Sequence, residues 1–109
     1  FICVSNTDDH LRNHGFLLTP TGWDLSPAYD MNPVESSTGL SLNISETRND
    51  LNFDLALEVI PFFRLTSDRA KAILKKIKKE VGEWRRVAHH HGIPKYEQSR
   101  MESCFRITP

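Results

Sequence analysis

Residues 6–14, NTDDHLRNH, gather two aspartates, two asparagines and two histidines directly after a mainly apolar segment. Asp8 and Asn13 stand at the Asp-x4-Asn spacing of the catalytic loops of protein kinases. In such a loop the aspartate accepts the proton of the substrate hydroxyl, and the asparagine oxygen is a ligand for Mg²⁺. The same count from Asp9 ends at His14, which does not suit the asparagine's role. The spacing therefore favours phosphoryl transfer with Asp8 as the catalytic base.

This chemistry needs a second aspartate, one that binds the metal, and Asp30 is the candidate. Residues 14–18 and 23–25 are predicted strands, and the Pro and Gly of residues 19–22 favour a turn between them. Because a hairpin brings its two ends together, we expect Asp30 to lie beside Asn13, with Asp8 close by.

Zinc is the other metal that this stretch suggests. His10 and His14 would share one face of a helix, but a metalloprotease motif needs Glu after the first His, and Leu11 stands there. The Asn and Asp residues also favour turns over helix interiors. We therefore prefer the kinase interpretation, and we expect Asp9 to be a solvated turn residue.

Two motifs resemble one family. Residues 6–13 resemble the N-T-D-x-H-x-K-N loop of the HipA family of bacterial serine/threonine kinases, and residues 25–30, LSPAYD, resemble that family's L-[AS]-P-x-[YF]-D segment. The later helical residues resemble the tail of HipA-like C-terminal lobes. Two departures are Arg12, where Lys is common, and His14, where an apolar residue is usual.

The resemblance implies a role for each matching residue. Asp8 would be the catalytic base, Asn13 and Asp30 would bind Mg²⁺, and three residues would lie near ATP: His10, Arg12 and Tyr29. Two alternatives stay open, since the His10 side chain could brace the loop by a hydrogen bond and the Tyr29 ring could be a core aromatic.

The resemblance also implies partners and context. The 109 residues contain five scattered glycines but neither a glycine-rich phosphate loop nor a strand lysine. We therefore expect residues 1–109 to be one domain, the C-terminal lobe of a longer kinase, inactive as a fragment. The expected partners are a protein substrate and a small DNA-binding antitoxin, with peripheral DNA contact through a basic helix.

Composition separates two halves of the chain. Net charge is zero, but the charged residues after residue 63 are mainly basic and those up to residue 63 are mainly acidic. This asymmetry indicates two surfaces with different partners. No apolar run approaches a membrane span, so we expect a cytoplasmic protein with no membrane partner. Cys3 and Cys104 are expected to be free thiols.

The predicted fold class is α+β and mainly α, with a short hairpin carrying the catalytic loop on a helical bundle. Residues 40–44 are a predicted strand and residues 30–39 a loop. Helices are predicted at 53–63, at 67–91 and at 95–105, with Gly92 and Pro94 ending the second. Its apolar stripe is expected to be buried: Ile73, Leu74, Ile77, Val81 and Trp84. Both tryptophans, including Trp23, are expected in the core.

A helix-turn-helix is the alternative from another class. Residues 87–94 have a small residue before a turn that contains Gly, and the preceding helix is basic. On this alternative the chain is a DNA- or partner-binding module without catalysis, and the helix after the turn must be exposed on one face.

Overall fold

The computed structural model describes residues 1–35 and 38–108, so part of the predicted loop at 30–39 lies outside the described residues. One antiparallel hairpin, β1 (Phe16–Thr19) and β2 (Gly22–Leu25), precedes the helices. The helices of the described chain are α1 (Phe53–Glu58), α2 (Ser67–Gly82), α3 (Trp84–His90) and α4 (Lys95–Met101). The predicted α+β, mainly α class is confirmed.

The hairpin forms at the predicted turn. Gly22 has φ +130°, a conformation that side-chain-bearing residues rarely adopt, and Phe16 pairs with Leu25 at the open end. One face of the ribbon carries only apolar side chains, and all are exposed: Phe16, Leu18, Trp23 and Leu25. The prediction that Trp23 lies in the core is wrong, because a two-stranded ribbon does not cover its own side chains.

Helix starts follow the caps that the sequence offers. The Thr66 hydroxyl accepts a hydrogen bond from the Arg69 backbone N–H and starts α2 as predicted. The Asn52 side chain caps α1 in the same way. The predicted helix 53–63 is shorter than expected, because α1 ends at Glu58 and Pro61 lies in a separate 3-10 turn, Ile60–Phe63.

The prediction of a single helix over residues 67–91 is wrong, because the helix is interrupted at Glu83. Gly82 immediately precedes the break, and glycine is the poorest helix former after proline. Helix α3 ends at His90, and Gly92, the predicted stop, follows with φ +73°. The Ile93 N–H donates to the Ala88 carbonyl, and the Gly92 N–H donates to the His89 carbonyl. These are the two hydrogen bonds of a Schellman motif.

The apolar stripe of α2 is only partly buried. Ile77 is 45% exposed and Ile73 36% exposed, so the prediction that both are buried is wrong. The stripe faces the six-residue α1, which is too short to cover it. Trp84 is half-buried and stacks on Phe105 at 4.1 Å between ring centroids.

Residues 40–44 form a loop, so the predicted strand is wrong. The Leu40 backbone binds Asn49 through both its N–H and its carbonyl, and Ser41 donates to the Thr7 carbonyl. These bonds to isolated residues replace the ladder that a strand would need.

Residues near the two ends of the chain are in contact, next to residues 6–14. Ser5 is buried, and its hydroxyl donates to the Cys104 carbonyl while it accepts from Arg106 Nε, both at 2.8 Å. The Arg106 backbone N–H donates to the Cys3 carbonyl. Cys3 and Cys104 are buried free thiols. No helix of the described chain is long and apolar enough to cross a membrane.

Candidate active site

The side chains of Asn13 and Asp30 meet at the open end of the hairpin. Asn13 Nδ2 donates to Asp30 Oδ2 at 2.8 Å, although the residues are 17 positions apart in the chain. Asn13 ends a 3-10 turn that precedes β1, and Asp30 follows β2. The hairpin therefore brings the asparagine of the Asp-x4-Asn pattern to the later acid.

Asp30 is held on both sides of its carboxylate and at its backbone. Oδ1 accepts from Asn32 Nδ2 at 2.9 Å, while Oδ2 accepts from Asn13. Its φ of 54° is left-handed, a conformation in which Asp and Asn are enriched among non-glycine residues. These bonds fix an exposed carboxylate in one direction.

Asn6 connects the loop to Asp30, a role that the sequence argument missed. It is 2% exposed; its Nδ2 donates to the Asp30 carbonyl at 2.9 Å, and its Oδ1 accepts from the Asp8 N–H at 3.1 Å. One buried amide thus ties the backbone of the candidate base to that of the candidate metal ligand. The position of Asn6 at the start of the NTD motif could have indicated this role in the sequence.

Asp8 and Asp9 have opposite environments. Asp8 is exposed at the surface of the loop. Asp9 is 9% exposed, and its Oδ1 lies 2.6 Å from His14 Nε2. The expectation that Asp9 is a solvated turn residue is wrong, because a buried carboxylate needs a partner and His14 supplies one.

The remaining candidates surround the loop. The Tyr29 hydroxyl donates to the Arg12 carbonyl at 2.9 Å, while both residues stay exposed. Tyr29 is therefore not a core aromatic, and it supports the loop from the side of the second motif. His10 is half-buried, and within the described residues its Nδ1 is a buried atom with no hydrogen-bond partner. The structure does not provide Nδ1 with the bracing bond considered above.

The donor set suits a hard cation. The Asn13 amide and the Asp30 carboxylate offer oxygen ligands, which Mg²⁺ prefers. Within residues 1–35 and 38–108, no group of three or more His, Cys, Asp or Glu side chains is arranged to hold a metal ion. A two-residue site fits Mg²⁺, which keeps several waters and takes other ligands from phosphates.

Comparison with known families agrees with this geometry. In protein kinases the catalytic loop supplies an Asp and an Asn at this spacing, and a later Asp binds the metal. Residues 1–85 match the model of the HipA-like C-terminal domain. The chain therefore belongs to the family of HipA-like C-terminal domains.

The matched region contains both motifs and α2, and it ends before most of α3. The tail resemblance beyond residue 85 is not part of the match. Neither the curated proteins nor the solved structures include a match to this chain.

Proposed function

We propose that Asp8, Asn13 and Asp30 belong to the catalytic loop and metal site of a HipA-like serine/threonine protein kinase. The observation that carries the proposal is the 2.8 Å contact between Asn13 and Asp30. Asp8 would accept the proton of the substrate hydroxyl, and Asn13 and Asp30 would hold Mg²⁺. When bound, the ion would neutralise charge on the phosphates of ATP.

The chain's own residues prepare these roles. Asp8 is exposed, so a substrate hydroxyl has access to it, and the Asn6 amide restrains its backbone. Two amide donors hold the Asp30 carboxylate in one orientation before any cation arrives. These bonds support a pre-organised site.

Nucleotide contacts would come from the same end of the hairpin. His10, Arg12 and Tyr29 lie on or against the loop, and the Tyr29 hydroxyl donates to the Arg12 carbonyl. The exposed pair of Phe16 and Leu25 lies at the end of the ribbon from which Asn13 and Asp30 emerge. An apolar surface there suits a purine ring.

The proposal extends to the protein's surroundings. The complete kinase would be a cytoplasmic enzyme that uses ATP and Mg²⁺, phosphorylates a protein substrate and binds a small DNA-binding antitoxin. Residues 1–109 by themselves lack the glycine-rich loop and strand lysine that grip the triphosphate. Calorimetry of this fragment should therefore show no saturable binding of Mg-ATP at sub-millimolar nucleotide.

The test compares conservative variants of three aspartates in the complete protein. Asp8→Asn should lower kcat by about 10²–10⁴-fold, the usual contribution of a general base, while nucleotide affinity stays close to wild type. Asp30→Asn should weaken Mg²⁺-dependent nucleotide binding as well as turnover. Asp24→Asn, an exposed hairpin variant, is the matched control and should retain activity.

Two results would count against these assignments. Equal loss of turnover and nucleotide binding in Asp8→Asn would exclude it as the base. Unchanged Mg²⁺ dependence in Asp30→Asn would exclude the metal role.

The helix-turn-helix alternative also has a supporting observation. Helices α3 and α4 are joined by residues 91–94, and Tyr96 on α4 is 72% exposed, as a recognition helix requires. Fluorescence anisotropy with duplex DNA at low and high salt tests it. Under the kinase proposal, charge reversals at Arg100 and Lys95 should leave phosphorylation unchanged; loss of DNA binding in the same variants would establish the alternative as a second activity.

A further inference from the structure

The Asp9–His14 pair joins the two ends of the catalytic loop. Asp9 follows the candidate base Asp8, and His14 follows the candidate metal ligand Asn13. Their side chains meet at 2.6 Å between Asp9 Oδ1 and His14 Nε2. An ionised carboxylate only accepts hydrogen bonds, so the imidazole nitrogen donates.

The two side chains of this contact differ in burial, and the hydrogen bond between them is a strong one. The Asp9 side chain is 12% exposed and the His14 side chain 35%, so the carboxylate lies inside the loop and the imidazole closes over it. Such a charge-assisted bond is shorter and stronger than one between neutral groups. The Phe1 ring lies 5.7 Å from the His14 ring between centroids.

The loop enclosed by the pair is short. Two backbone bonds turn it, from the Asn13 N–H to the His10 carbonyl and from the His14 N–H to the Leu11 carbonyl. The Asn13 side chain reaches Asp30, and the side chain of the adjacent His14 reaches Asp9. The direction of Asn13 is thereby coupled to the pair.

Resting on the proposed kinase function, we propose that Asp9 and His14 are positioning residues that set the separation and orientation of Asp8 and Asn13. The pair acts through its neighbours and touches neither substrate nor metal. Asn6 accepts from the Asp8 N–H and Tyr29 donates to the Arg12 carbonyl. Among these contacts, the Asp9–His14 pair alone joins one end of residues 9–14 to the other.

The experiment uses the complete kinase with Asp9→Ala, His14→Ala and the double variant. Binding of Mn²⁺ is followed by the electron paramagnetic resonance signal of the free ion, alongside kcat, KM for ATP and the thermal midpoint. We expect each single variant to weaken Mn²⁺ binding by about 10-fold, the lower end for residues that orient metal ligands. The kcat should fall while KM for ATP changes little.

The double variant and a rescue variant distinguish a positioning role from a general effect on stability. The double variant should be no worse than either single one, because both remove the same contact. His14→Gln, whose amide can donate to Asp9, should restore most of the Mn²⁺ affinity. Asp24→Ala and His90→Ala, at exposed positions away from the loop, are the controls and should bind Mn²⁺ like wild type.

Three results would overturn the proposal. Mn²⁺ affinity within about two-fold of wild type in both single variants would show that the pair orients nothing, since such residues usually matter by 10-fold or more. Additive losses that track the thermal midpoint would make the pair purely structural. Wild-type protein without Mn²⁺ binding or kinase activity would overturn the proposed function itself, and the positioning role with it.

Discussion

Asp30 combines a carboxylate with a backbone conformation that most residues avoid. Its φ of 54° places it in the left-handed region, which costs an ordinary L-residue roughly 1–2 kcal/mol. Asp and Asn tolerate it because their short polar side chains bond locally, as Asp30 does with Asn32. Backbone strain of this kind clusters at functional sites.

Two substitutions at this position should differ in stability. Asp30→Asn keeps a short polar side chain that suits the left-handed backbone, whereas Asp30→Ala loses it. We expect Asp30→Ala to lower the free energy of unfolding by about 1–2 kcal/mol more than Asp30→Asn does. Urea unfolding measures the difference, and equal values for the two variants would show that the backbone is not strained here.

Contacts between neighbours in the catalytic loop were the least predictable part of the site. The meeting of Asn13 with Asp30 follows from hairpin topology, which sequence spacing indicates. The partnership of Asp9 with His14, and the burial of Asn6, depend on how a few backbone dihedrals rotate side chains inward. Asn and Asp crowd ordinary turns as well, so residue type alone does not separate the solvated Asp8 from the buried Asp9.

Among the helices, α3 provides the chief aromatic contact. Trp84 stacks on Phe105 with an interplanar angle of 4°, and it also lies under the Arg85 guanidinium. We expect Trp84→Ala to cost about 2–3 kcal/mol, below the 3–5 kcal/mol of a fully buried tryptophan, because the ring is half-buried.

Trp23, the second tryptophan of the chain, provides a control for this measurement. Trp23 is 69% exposed on the hairpin, and exposed substitutions usually change stability by less than about 0.5 kcal/mol. Chemical denaturation of Trp84→Ala and Trp23→Ala should separate them clearly. Equal losses would mean that the hairpin face is covered in solution.

Two glycines at helix ends should respond in opposite directions to alanine. A Cβ on Gly82 would meet only Ile107 Cδ1 at 3.9 Å, an ordinary contact, so Gly82→Ala should stabilise by up to about 1 kcal/mol through helix propensity. Gly92 has φ +73°, so Gly92→Ala should destabilise by roughly 1–2 kcal/mol. Thermal unfolding of both variants checks the signs, and a destabilising Gly82→Ala would show that the break at Glu83 needs glycine.

Element types were predictable where local chemistry decides them. The Thr66 cap, the Gly22 turn and the Gly92 stop each act within a few residues, and each lies where it was expected. The break at Glu83 was not predictable, since the apolar spacing continues across it. The alternating residues 40–44 suggest a strand, but a strand also needs a neighbour to pair with, and Thr7 and Asn49 take those bonds instead.

The whole molecule is open for its length. It exposes 8356 Å², whereas a folded monomer of this size exposes roughly 6,200 Å². Much of the exposed surface is apolar, including the hairpin face and Phe62 with Phe63. Apolar patches of this extent favour association with other protein surface, which supports the proposal that this domain is part of a longer kinase.

The two buried thiols make stability sensitive to alkaline pH. Burial raises the pKa of Cys3, and burial together with Glu35 raises the pKa of Cys104. The folded state therefore favours the protonated thiols, so their contribution is complete below the unfolded thiol pKa of about 8.5 and is lost as pH rises through the folded pKa.

Comparison with a cysteine variant isolates this effect. The free energy of unfolding of wild type should fall more steeply between pH 8 and 10.5 than that of Cys104→Ala, because the variant lacks one shifted group (the pH limits bracket the thiol range at about 8.5 and above). The two proteins carry the same other ionisable groups, so the difference between the two curves reports the thiol. Parallel curves would show that Cys104 ionises freely in the fold.

The anchoring of Ser5 by Cys104 and Arg106 has a consequence for the order of events during synthesis. Ser5 adjoins Asn6, yet its partners lie 99 and 101 positions later in the chain. At a ribosomal rate of about 5–20 residues per second, that separation is roughly 5–20 s of translation. Residues 6–14 leave the ribosome before the helices α1 to α4, and the anchor of the neighbouring Ser5 forms only after Arg106 has emerged. A nascent chain therefore carries the loop for seconds before it is fastened.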